Sequence, residues 1–269
     1  MHLSSGTRWA LRIGTGLALA FLYAPLIVIG VYAFNERRTA TWPPPGFTLD
    51  WWDKALNNHG VRDALWTSVQ AGLGATAIAL VLGTLAAFAV ARYRFFGRET
   101  VSFLVLLPIA LPGIVTGMAL TTTFTQVLGV DLTLFTIIVG HATFCIVVVY
   151  NNVIARLRRT SPSFEEASAD LGAHTWQTFR LVTFPQLRSA LVAGALLAFA
   201  LSFDEVIVTT FTAGSNETLP IWILNNLSRP NQLPVVNVVA VVVILLSIIP
   251  VYVAQRITAD PVARATTAP

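Results

Sequence analysis

Apolar residues along the chain fall into six long runs: Ile13–Phe34, Ala71–Ala91, Val101–Phe124, Leu132–Tyr150, Ala190–Phe211 and Val235–Ala254. A helix that crosses a bilayer needs roughly 20 mostly apolar residues, and each run reaches about that length. Only the fifth contains charge, in Asp204 and Glu205. The pattern predicts an all-α polytopic membrane protein of six transmembrane helices in one domain spanning residues 1–269. Arg8 and Arg12 precede the first run, as in a secretion signal. The run is too long for a signal core and no small-residue cleavage site follows it, so it reads as a retained span.

Within the second run, Ala79, Gly83 and Ala87 make a row of small residues at four-residue spacing, beside Gly72, Thr76 and Leu80. Such rows let helix backbones approach where lipid supplies no hydrophobic drive, and a packing face within the subunit is the expectation. Pro108 and Pro112 in the third run and Pro250 in the sixth predict kinks.

The polar exception is residues 161–187, between the fourth and fifth runs. Ser163 and Glu166 have capping-box spacing, and Pro162 suits a first turn. Phe164, Ala167 and Leu171 fall on one stripe, with Glu165, Glu166 and Asp170 off it. Gly172 is placed to end the helix in a left-handed conformation. Trp176, Phe179 and Val182 predict a second helical piece before Pro185. Lipid-surface helices favour Lys and Arg on their polar face, whereas this one is acidic, so a protein partner suits it better than lipid.

Composition agrees with the membrane. The chain is 55% hydrophobic and 11% charged, against about 25% charged in soluble domains. It holds 17 Lys+Arg and 13 Asp+Glu, a net charge of +4. The basic residues lie between apolar runs, where they set topology and do not suggest nucleic acid. Twelve of them (Arg8, Arg12, Arg92, Arg94, Arg98, Arg156, Arg158, Arg159, Arg180, Arg188, Arg256 and Arg264) flank one side, and five (Arg37, Arg38, Lys54, Arg62 and Arg229) the other. The positive-inside bias puts both termini and the polar insert in the cytoplasm. Cys145 is the single cysteine, which excludes an intramolecular disulfide or a cysteine metal cluster. A phosphate-binding loop requires G-x4-G-K-[ST]. The only lysine, Lys54, follows Asp53 in an outward segment, so the chain does not bind ATP by that route.

Glu166-Ala167-Ser168-x3-Gly172-x9-Val182-x-Phe184-Pro185 resembles the EAA motif of ABC-importer permeases, EAA-x3-G-x9-I-x-LP. It departs at Ser168, Val182 and Phe184, all mildly. Phe47–Trp52 (FTLDWW), Leu82–Ala87 (LGTLAA), Ser202–Val206 (SFDEV) and Thr218–Pro220 (TLP) resemble the spermidine/putrescine permease branch of that family. The resemblance covers nearly the whole chain. It implies a type I ABC-importer permease fold in a bacterial cytoplasmic membrane, with the insert as coupling helix. Glu165, Glu166, Ala167, Asp170, Leu171 and Gly172 would contact the ATPase. The implied partners are a second similar permease, two copies of a cytoplasmic ATPase holding ATP and Mg, an extracytoplasmic polyamine-binding protein and membrane lipid. The chain itself would hold no cofactor. Related permeases for iron or phosphonate share much of the pattern.

Within a continuous fifth helix, Asp204 would lie roughly 21 Å from Ala190, in the outer half of a hydrocarbon core of about 30 Å. Adjacent helical residues point about 100° apart, so one acid would face the pathway. Two readings stay open: a negative site for a cationic substrate, or a tie to another helix or subunit. Trp51 and Trp222, in outer segments, are further pathway candidates, beside a role as interfacial belt. His141 stands without a second ligand-type residue and reads as a packing or hydrogen-bonding residue. An ion-coupled transporter would use Asp204 or Glu205 as its ion site. An intramembrane enzyme would rest on Ser202, for which the sequence offers no histidine at a common depth. The C-terminal ADPVARATTAP reads as a disordered tail.

Overall fold

The computed structural model describes residues 4–258. The side chain of Pro250 and the tail from residue 259 lie outside the described residues, and so do the kink and the disorder expected there. Twelve α-helices and two π-helical turns account for the described fold. Four are long and apolar enough to cross a membrane, or five if one bent pair forms a single span.

The chain divides into two compact units. One comprises the residues up to Arg62 with Trp222–Ser247. It holds α1 (Ser5–Tyr32), α2 (Asp50–Leu56) and the first part of α12 (Leu233–Thr258). α1 opens on Ser4, whose Oγ accepts the Thr7 N–H at 3.2 Å, and none of its residues is buried. After it, Asn35 and Phe47 form an isolated antiparallel bridge. Asn35 anchors that loop: its Nδ2 donates to Thr39 O at 3.1 Å and its carbonyl accepts Trp51 Nε1–H at 2.9 Å.

The second unit, Asp63–Ile221 with the chain from Ile248, carries most of the polar chemistry. Its helices are α3 (His59–Arg92, entering from the first unit), α4 (Arg98–Ala110), α5 (Gly113–Thr122) and α6 (Leu134–Arg159). The insert follows as α7 (Ser163–Asp170) and α8 (Thr175–Thr178), then α9 (Phe184–Phe203) and α10 (Ile207–Thr212). α11 (Leu219–Leu227) crosses the unit boundary.

The expected third span is broken, not merely kinked. α4 and the segment from Gly113 meet at 104°. Pro112 disfavours helical geometry in the residue before it, and Leu111 is extended at φ −82°, ψ 142°. The fifth span is also interrupted: α9 stops at Phe203 and α10 starts at Ile207.

α6 and the small-residue row of α3 form the core. Ala71, Ala75, Ala79 and Ala87 are fully buried at four-residue spacing. A Cβ on Gly83 would stand 2.8 Å from Ile146 O and 3.1 Å from Tyr150 N, both backbone atoms of α6. The row is therefore a packing face within the subunit. Towards α9, Cys145 Sγ–H of α6 donates to Ala198 O at 3.3 Å. Ser102 Oγ and Tyr150 Oη, 2.8 Å apart, join α4 to α6.

Candidate functional site

The insert is built from local backbone signals. The expected Ser163–Glu166 capping box is not formed, and the cap position is Pro162, without a side-chain bond. Pro162 is already helical, and its carbonyl accepts the N–H groups of Glu165 and Glu166 at 2.9 and 3.1 Å. The helix thus begins one residue early, and Ser161 Oγ accepts the Ser163 N–H at 3.3 Å. At the other end Gly172 takes φ +85°. Its N–H donates to Ala169 O at 2.8 Å and that of Ala173 to Ser168 O at 3.1 Å. Both bonds of a Schellman cap are present.

α8 is capped by His174, whose Nδ1 accepts the Gln177 N–H while Gln177 Oε1 accepts the His174 N–H. A π-helical turn, Phe179–Thr183, then leads straight into α9. A proline cannot donate to the carbonyl four residues before it, and widened turns accommodate such gaps. Here Pro185 stands at the start of α9.

α7 buries none of its residues. Phe164 is 58% exposed and Leu171 90%, and Glu166, Ala167, Asp170 and Gly172 are exposed beside them. The apolar stripe seen in the sequence thus faces away from the body of the subunit. Glu165 alone of the six candidate coupling residues turns inward. Arg92 Nη2 donates to its Oε1 at 3.1 Å, and Arg92 Nε lies 3.1 Å from Oε2 as an ion pair, off the hydrogen-bond line. Thr183 Oγ1–H also donates to Oε1, at 3.1 Å. A groove of about 750 Å3 lies between this insert and the end of α3, lined by Leu85, Phe88, Tyr93, Trp176 and Phe179 among others.

Asp204 and Glu205 do not lie within a continuous helix, which corrects the expected geometry. Asp204 is the C-terminal cap of α9 and is exposed. Glu205 is half-buried, and its Oε1 accepts the Val208 N–H at 2.9 Å in the first turn of α10. One carboxylate is occupied as a helix cap and the other is open. The break gives each acid a different task, where a continuous helix would only have turned them apart.

His141 is fully buried in α6. Its Nδ1 is 2.7 Å from Ser202 Oγ of α9, and its Nε2 2.8 Å from Thr209 Oγ1 of α10. The Thr209 hydroxyl proton goes to Glu205 O at 2.7 Å, so Nε2–H is the donor to Thr209 and Nδ1 accepts from Ser202. This is the serine–histidine pair that the sequence did not reveal. No carboxylate orients the ring, since both nitrogens are taken by hydroxyls, and Ser202 is 3% exposed. The arrangement is a brace across the α9–α10 break, without the base orientation and substrate access that a nucleophile requires.

Trp51 is buried in the first unit, with the Lys54 ammonium 4.3 Å above its ring. Trp222, also in that unit, is buried, and its Nε1 would lie 3.0 Å from a Cβ on Gly60. Both rings are packed within the chain, and neither presents an open face for stacking. Among the described residues no cluster of three metal-ligating side chains occurs.

Residues 79–261 match the family of binding-protein-dependent transport system inner membrane components. The chain is 34% identical over 241 residues to the spermidine/putrescine transport system permease protein PotC of Haemophilus influenzae, covering 89% of this chain and 92% of the relative. It is 31% identical over 236 residues to the putrescine transport system permease protein PotI of Escherichia coli, covering 85% and 83%. Among solved structures, a bacterial ABC transporter involved in import of the acidic polysaccharide alginate matches with a TM-score of 0.75 at 19% identity, over 95% of this chain and 99% of that one. That likeness concerns the fold. By the extent of the family match and of the identity to its curated members, the chain belongs to the binding-protein-dependent transport system inner membrane components, as a multi-pass helical membrane protein.

Proposed function

We propose that the chain is the transmembrane permease subunit of an ATP-driven importer of polyamines such as putrescine and spermidine. The observation that carries this reading is the outward face of α7, where Phe164, Glu166, Ala167 and Asp170, with Leu171 at its C-cap, lie exposed on a helix with no buried residue of its own. Its charge and apolar stripe suit a protein groove. The names of the relatives at 34% and 31% identity supply the substrate class.

In this reading six spans cross the membrane, with α4–α5 as one bent span, α9–α10 as one broken span and α12 as the last. Both termini are cytoplasmic. α7 is the coupling helix, docking on a separate ATPase that binds ATP and Mg. Two ATPase copies, a second permease and an extracytoplasmic binding protein complete the assembly. The binding protein delivers substrate from outside, and closure of the ATPase pair drives alternating access. Each partner acts by contacting the two states differently. The open carboxylate of Asp204 offers a cation a counter-charge at membrane depth.

The test is uptake of labelled putrescine and spermidine by cells lacking this gene but retaining the partner genes. Loss of uptake, restored by the wild-type gene, is expected. Undiminished uptake of both amines would remove the polyamine assignment.

A further inference from the structure

We propose that Arg92, Glu165 and Thr183 form a strut that carries movement of α7 into α3 as well as into α9, with Glu165 a positioning residue of the coupling step. The inference rests on the importer reading above. None of the residues of α7 is fully buried, so its packing against the body of the subunit is slight. Towards α3 it faces the groove of about 750 Å3, whose walls are set apart. The chain itself runs on from α7 through α8 and the π-helical turn into α9, but towards α3 only polar ties bridge the gap.

Two polar ties are present. Ser168 Oγ and Thr178 Oγ1 are 3.0 Å apart, within the insert itself. The Glu165 carboxylate reaches further. It takes Arg92 at the last residue of α3 and the buried Thr183 hydroxyl of the π-helical turn. Arg92 and Glu165 line the groove, and their contact joins its two walls. Each charge also suits its helix end, the cation at the C-terminus of α3 and the anion in the first turn of α7. Glu165 and Glu166, though adjacent, thus divide the work: Glu166 faces outward, and Glu165 holds the helix to the transmembrane body.

The experiment uses the whole assembly of that reading, both permeases with the ATPase pair and the binding protein in lipid vesicles, measuring putrescine moved per ATP hydrolysed. Arg92→Gln and Glu165→Gln should each lower that ratio by about fivefold or more, the scale of a modest coupling free energy. Arg92→Lys should keep most of it. The double variant R92Q/E165Q should be no worse than the poorer single, because one contact has been removed once. Losses that multiply in the double variant, or an unchanged ratio in both singles, would overturn the strut. So would loss of ATPase co-purification with Glu165→Gln alone, since Glu165 would then be a docking residue. If the wild-type complex shows no substrate-stimulated ATP hydrolysis, the importer reading fails first. The strut is then judged by amide hydrogen exchange across Ser163–Asp170 in the full-length permease. Faster exchange in both singles supports it and unchanged exchange refutes it.

Discussion

Replacing Gly83 with alanine adds one methyl group, and the structure specifies where it lands. The new Cβ would be 2.8 Å from Ile146 O, 3.0 Å from Val149 Cβ and 3.1 Å from Tyr150 N, whereas ordinary contact begins at 3.4 Å. The shortfall against Ile146 O is 3.4 minus 2.8, about 0.6 Å. Two of the three atoms are backbone of α6, so no side-chain rotation relieves them. α3 must move off α6, and the fully buried Ala75, Ala79 and Ala87 lose contact together. Overpacking of this kind costs about 1–3 kcal/mol. The intrinsic gain from glycine to alanine in a helix, about 1 kcal/mol, acts in the opposite direction. Gly14 of α1 isolates that gain, since nothing lies within 4 Å of its would-be Cβ. Gly194 is intermediate, its nearest atom at 3.4 Å. Unfolding free energy in mixed micelles should therefore fall for Gly83→Ala, change little for Gly194→Ala and hold or rise for Gly14→Ala. A Gly83→Ala protein that gains as much stability as Gly14→Ala would refute the close α3–α6 seam.

Three further outcomes are expected. His141→Leu removes two interhelical hydrogen bonds and leaves the Ser202 and Thr209 hydroxyls without their ring partner; at about 0.6 kcal/mol per bond on average in membranes, the loss should be about 1–2 kcal/mol in the same micelle assay. Glu166→Arg inverts charge on the outward face of α7 and should uncouple ATP hydrolysis from transport while insertion persists, and normal transport with normal assembly would remove the docking role. Asp204→Asn should slow amine uptake more than it disturbs assembly, whereas Glu205→Gln keeps an oxygen acceptor for the Val208 N–H and should leave α10 intact by hydrogen exchange; equal uptake by Asp204→Asn and wild type would return Asp204 to a structural tie.

Much of this was legible where local chemistry decides. The small-residue row of α3 and the left-handed Gly172 each follow from one residue type in one backbone context, and Pro112 gave the place of the third span's bend but not its extent, a kink where the span breaks. Hydropathy marked the apolar stretches of the long helices but not their ends, since α3 starts at His59, well before the run at Ala71. What was not legible depended on tertiary return. His141 meets Ser202 and Thr209 only because α9 ends at Phe203 and α10 restarts beside α6, and no proline or glycine marks that break. The Ser163 cap failed for a smaller reason: Pro162 had already entered the helix, and its carbonyl takes the Glu166 N–H that the Ser163 side chain would have accepted. The stripe Phe164–Ala167–Leu171 was visible, but periodicity does not say which way a stripe faces.

The α9–α10 break also sets the surroundings of the two acids. Irregular backbone beside a membrane span is tolerated only where protein or a cavity satisfies its polar groups. Glu205 supplies the Val208 N–H with the acceptor that a continuous helix would have provided. At the far end of α10 the freed carbonyls are taken by threonines from neighbouring helices: Thr121 Oγ1–H donates to Phe211 O, and Thr136 Oγ1–H donates to Thr212 O at 2.7 Å. Small residues let those neighbours come close, since a Cβ on Gly117 would stand 2.6 Å from Phe211 Cδ2. α10 therefore has its exposed backbone ends covered by α5 and α6, and its start covered by its own glutamate. Asp204 is the member of the pair that this accounting leaves over. Its carboxylate caps no helix start, and it sits where the backbone has already turned. In the importer reading proposed above, that exposed carboxylate is where a cationic substrate would find a counter-charge.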